Sequence, residues 1–176
     1  LSHPAHFHLF KHNIKQLIEN GHNVHILIKT KDILEDLLIA SDLPYQNILP
    51  MAHRKSRLGI LWDMLVRDWK ILKYASKNKI DILVGSTVEI DHVGWLLRKH
   101  RINMGEDDIS IIPLFLHMGG PFVDTFLAPE SCDMGKLESK TIHYPGFHKL
   151  AYLHPNHFQP DRMVVNKYFD SDRPYF

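Results

Sequence analysis

Three histidines crowd the first eight residues, Leu1-Ser2-His3-Pro4-Ala5-His6-Phe7-His8. The stretch reads as a strand end, a tight loop and the first turn of a helix. A helix N-terminus offers free N–H groups and a favourable dipole to an anion. A histidine beside it can donate to phosphate or exchange a proton. His3 and His6 are placed on the loop side and His8 on the helix side. The spacing matches no closed zinc pattern and lacks a cysteine partner, so no metal is expected. The plainer reading is a set of hydrogen-bonded structural histidines.

A second group is Glu106-Asp107-Asp108. Three adjacent carboxylates repel one another, which raises at least one pKa toward the range of a general acid or base. Alternatively, Asp107 or Asp108 caps the helix that follows. One cap and one substrate-facing carboxylate satisfy both readings, with Glu106 carrying the chemistry. The third group is Gly85-Ser86-Thr87-Val88-Glu89, with His92 behind it. Ser86 and Thr87 can bind a hydroxyl or a phosphate, and Glu89 and His92 are spaced to meet on a helix. A simple helix-capping loop fits the same residues.

The elements that position these groups alternate. Helical spacing runs from the first loop to about Asn20, where Gly21 stops it. Strands are expected at His22–Ile28, Tyr45–Leu49, Ile80–Gly85 (the clearest buried one), Ile102–Met104, Val123–Ala128 and Lys140–Tyr144. Helices fall at Ile33–Leu38, His53–Lys79, Ile90–His100, Ile109–Met118 and Arg162–Phe169. The Ile102–Met104 strand is expected to be short or distorted. Such alternation predicts an α/β domain with a Rossmann-like parallel sheet and helices on both faces. A doubly wound sheet has its first strand at the centre, and only Leu1 stands where that strand belongs. Further apolar residues are therefore expected before Leu1.

Length and composition fit one soluble globular domain of 176 residues with 44% hydrophobic residues. A net charge of +1 gives no case for nucleic acid. No run is long enough to span a bilayer. The single cysteine, Cys132, suits a reducing, cytoplasmic setting. Between residues 54 and 79, Arg54, Lys55, Arg57, Arg67, Lys70, Lys73, Lys77 and Lys79 outnumber Asp63 and Asp68. That asymmetry fits peripheral contact with the inner membrane face, or a core-packing helix with a basic back; the second is the expectation. No Gly-x-Gly-x-x-Gly, Walker loop, serine nucleophile elbow or Cys–His pair is found, so no cofactor is expected.

Several blocks together resemble the domain-of-unknown-function family 354. They are Ser-His-Pro-Ala-His-Phe-His, Glu19-Asn20-Gly21-His22-Asn23-Val24, Asp81–Gly85, Gly105–Asp108, Leu127–Glu130 and, most specifically, Tyr144–Pro155. That family is similar to two-domain GT-B glycosyltransferases and to UDP-N-acetylglucosamine 2-epimerases. The resemblance implies an N-terminal acceptor-side domain over residues 1–145. It makes 146–176 a linker and the start of a second domain, so that Gly146-Phe147-His148-Lys149 lies at a hinge. It implies a nucleotide-sugar substrate held mostly by that second domain. Transfer to a polysaccharide or lipid-linked acceptor is the favoured reaction, epimerisation the near alternative and a non-catalytic binding module the distant one. The candidate catalytic residues are then Glu106, Asp107 and His6. Substrate contacts fall to His3, Ser86, Thr87, Glu89, His92, Asp108, His148 and Lys149.

Overall fold

The computed structural model of the chain describes residues 1–49 and 57–169. Arg54, Lys55 and the end of the 146–176 segment lie outside the described residues. The element order is α1 (Pro4–Glu19), β1 (Ile26–Lys29), α2 (Leu34–Ala40), β2 (Tyr45–Leu49), α3 (Arg57–Lys77), β3 (Ile82–Gly85) and α4 (Val88–Leu97). There follow β4 (His100–Met104), α5 (Pro113–Met118), β5 (Thr125–Pro129), a 3-10 helix (Gly135–Lys140), β6 (Thr141–Tyr144), α6 (Leu150–Leu153) and α7 (Arg162–Val165).

Among the described residues all strand pairs are parallel, and they form two sheets: β1–β2, and β3–β4–β5–β6 in that order. Leu1 adds a single rung to β1. Its amide end donates to the Leu27 carbonyl, and its carbonyl accepts from Lys29 N–H at 3.3 Å. This is the edge of β1 turned away from β2, which uses the next residue, Thr30, to reach Leu49. The architecture is Rossmann-like α/β, as the alternation predicts.

α1 starts at Pro4, so that His6 lies in its first turn and not in the loop before it. His3 is its N-cap and accepts from Ala5 N–H at 3.2 Å through Nδ1, and Pro4 fills the first turn, where its missing N–H costs nothing. Gly21, at φ 84°, ends the helix: its N–H reaches Ile18 and that of His22 reaches Leu17, closing a Schellman motif. The buried face of α1, Phe7, Phe10 and Ile14, packs with Ile26 and Ile28 of β1 and Leu34 and Leu38 of α2. A second core gathers Phe126 and Ala128 of β5 with Ile109, Val123, Met134 and Leu137.

Further expectations change. β4 is a regular five-residue strand, paired on both sides, because buried Asn103 satisfies its polar groups internally. The helix expected from Ile109 begins only at Pro113 and is six residues long; Ile109 to Ile112 form turns. β3 is not buried on both faces: Leu83 is, but Ile82 and Val84 are 53% and 49% exposed. On α3, Leu61, Leu65 and Trp69 face outward, while Ala75, Ile71 and Leu72 pack on Leu83 and Val93. α6 lies on α1, with Tyr152 against His8 at 5.4 Å and His157 stacked on His12 at 4.2 Å between ring centroids.

Candidate active site

Parallel strands of one sheet end on the same side, so the loops after β3, β4 and β6 lie along one edge, with those of β3 and β6 at its opposite ends. Glu106 leaves β4 through Gly105, whose missing side chain clears Phe126: a Cβ there would sit 3.1 Å from the ring. From the β6 side, Gly146 turns the chain at φ 108° and delivers His148 and Lys149. Lys149 Nζ donates to Glu106 Oε1 at 2.9 Å, joining residues 43 positions apart. That hydrogen bond, with the Glu106 charge behind it, holds the ammonium above its usual pKa.

His148 stacks on Tyr144 at 6.2 Å with the rings 10° from parallel. Burial lowers its pKa, and the Glu106 charge opposes this. Burial, reinforced by Glu106, pushes the Tyr144 phenol up to about 12. Both side chains are therefore neutral hydrogen-bonding groups at neutral pH. Among the described residues neither reaches a partner at its tip: Tyr144 Oη, His148 Nε2 and, at the far end of the sheet edge, Ser86 Oγ are buried with no hydrogen bond. A buried polar atom without a partner costs about 1–3 kcal/mol. Two of them, on Tyr144 and His148, lie close enough to Glu106 to feel its charge and leave hydrogen-bonding capacity there for a polar ligand.

His6 stands on the α1 side of this edge. Ser2 Oγ lies 3.3 Å from its Nδ1. Burial first, then the terminal ammonium, His3, Lys29 and His148, bring its pKa down to about 4. It is a neutral acceptor or donor here, not a phosphate-binding cation. His3 is exposed, with Nδ1 committed to the α1 cap and its ring 6.2 Å from that of His6.

The other expected residues are placed as follows. Asp107 is exposed beside Glu106. Neither Asp107 nor Asp108 caps a helix, since α5 starts late with Ile112 at its N-cap. Asp108 instead accepts from Asp133 N–H at 2.8 Å and ties two loops together. Thr87 is the N-cap of α4 without a side-chain cap bond. Glu89 and His92 do not meet. Glu89 is buried in an ion pair with Arg67 of α3 at 2.7 Å. His92 lies 3.0 Å from Asp68 of α3 and 2.9 Å from the Met118 carbonyl. Both side chains are engaged by the helix packed against α4. Among the described residues, no group of three or more His, Cys, Asp or Glu side chains could hold a metal.

Sequence reasoning passed over Tyr144, and also a buried pair beneath the site. Asn103 donates to Asp91 Oδ2 at 2.7 Å and to the Thr87 carbonyl at 3.0 Å. Asp91 is fully buried, and burial pushes its carboxyl up to about 7 against the pull of the Asn103 hydrogen bond. The pair couples α4 and the Ser86-Thr87 loop to β4, the strand that carries Glu106. A lone asparagine within a short strand is the signal that points to it.

No family model matches the chain, and no curated protein matches it. Among solved structures it is similar to a 2.2 Å crystal structure of a protein assigned as a UDP-N-acetylglucosamine 2-epimerase from Listeria monocytogenes. The TM-score is 0.53 at 12% identity, over 74% of this chain and 38% of that one. The two share a fold. The chain thus spans less than half the length of that protein, and the likeness to family 354 rests on the motifs alone.

Proposed function

We propose that this chain forms one wall of the active site of a nucleotide-sugar enzyme, with Glu106 as the proton-transferring carboxylate. The observation that carries the reading is the pair of unpartnered buried atoms, Tyr144 Oη and His148 Nε2, at the end of β6 beside Glu106 and Lys149, with a third such atom, Ser86 Oγ, at the end of β3. Neutral hydroxyl, phenol and imidazole groups suit the hydroxyls of a sugar better than a diphosphate, whose charge calls for cations or helix N-termini. The nucleotide then falls to residues outside 1–145, in the second domain that the motif resemblance implies.

In a transfer reaction Glu106 takes the proton of an acceptor hydroxyl, Lys149 holding it in place. In an epimerisation it takes a proton from a ring carbon of the sugar. The favoured acceptor is a cell-surface polysaccharide or a lipid-linked sugar; the fold shared with the Listeria protein supports epimerisation as the second reading. Incubating the intact protein with UDP-N-acetylglucosamine separates them. UDP released only with an added acceptor supports transfer, and a changed sugar without acceptor supports epimerisation. If a panel of UDP-sugars gives neither, and calorimetry detects no binding, the enzyme reading fails.

A further inference from the structure

The apolar stripe of α3 points the wrong way for a core helix. Its inner face, with Ile71, Leu72 and Ala75, packs on Leu83 and Val93. On the opposite face Trp62, Leu65 and Trp69, spaced three and four apart, are 56%, 57% and 59% exposed, and Leu61 adjoins them. The stripe continues into Lys73 and Lys77, both exposed, and Lys73 Nζ lies 5.4 Å from the centroid of the Trp69 ring. The acid nearest the middle of the helix is turned inward: Asp68 faces His92 of α4.

We propose that this face of α3 is a docking surface for an anionic lipid bilayer. Tryptophans with leucines between them and lysines at one end match the apolar and charged layers of a membrane interface. The 21-residue helix is about 30 Å long and would lie along the surface. No helix among the described residues is long and apolar enough to cross it. Charge decides between the bilayer and a second copy of the chain. A two-fold contact through this stripe sets lysine-bearing ends against a face whose acids are few, Asp68 being turned to His92 and Asp63 partly buried, whereas anionic head groups supply the balance. The inference does not depend on the strand-end site, although it would bring that site to a lipid-linked acceptor.

The test is flotation of the intact protein with phosphatidylcholine vesicles, with and without a minority of phosphatidylglycerol. The protein is expected to float with the anionic vesicles only, with a blue shift of tryptophan emission. Lys73→Glu with Lys77→Glu weakens this about tenfold or more. Trp62→Ser with Trp69→Ser abolishes it, while the thermal melt and nucleotide-sugar binding stay unchanged. Equal binding to neutral vesicles overturns the proposal, as does binding that neither double variant alters. A lipid-independent dimer that dissociates on Trp62→Ser with Trp69→Ser also overturns it, since the stripe then serves self-association.

Discussion

Glu106→Gln should lower kcat by about 10²–10⁴-fold while leaving nucleotide-sugar affinity within a few-fold of wild type. Glutamine keeps the shape of the side chain and an oxygen that can accept from Lys149, which bonds Oε1 at 2.9 Å in the native protein. What it loses is the ability to take a proton. A split of this kind, with binding kept and turnover lost, assigns chemistry to the carboxylate. Steady-state kinetics paired with calorimetry on the same preparation give both numbers. Equal turnover in Glu106→Gln would remove Glu106 from the mechanism, and a collapse of affinity with kcat intact would make it a binding group.

The largest effect on stability is expected at Asp91, and its sign is unusual for a carboxylate. The unfolded carboxyl has a pKa of 3.8 and the folded one about 7, because burial penalises the charged form. The folded state therefore holds its proton while the unfolded state gives it up. Stability is highest below pH 3.8 as far as this group is concerned. It falls as pH rises from 3.8 to about 7 and then levels off, a span of about 4 kcal/mol. Asp91→Asn keeps an acceptor for Asn103 and cannot ionise. Urea unfolding is expected to show the variant gaining on the wild type through that pH window and exceeding it by about 1–3 kcal/mol near pH 8. A difference between the two proteins that does not change with pH would contradict the account of this pair.

The order of strands and helices was legible because each element carries its own periodic signature and its own stop, such as Gly21 after α1. Where the reading went astray, tertiary contacts decided. Periodicity reports that α3 has an apolar stripe, but not that its inner face is filled by the smaller set around Ala75. Glu89 and His92 have the spacing to meet on a helix, yet Arg67 and Asp68 on α3 engage them first. Asp108 looked like a helix cap until the helix began several residues later. The meeting of Glu106 with Lys149 was not visible at all, since it depends on how far the loop after β6 turns at Gly146. Tyr144 reads as an ordinary strand residue. Only its place at the end of β6, with its hydroxyl buried and unpaired, sets it apart.

The most direct test is a crystal structure of the intact protein with UDP-N-acetylglucosamine bound. The sugar is expected at the ends of β4 and β6, with its hydroxyls bonded to Tyr144 Oη and His148 Nε2. A ring carbon or acceptor position should then lie about 3–3.5 Å from the Glu106 carboxylate. A sugar bound away from these two atoms, or both of them found paired with protein groups while the ligand occupies another cleft, would contradict this placement.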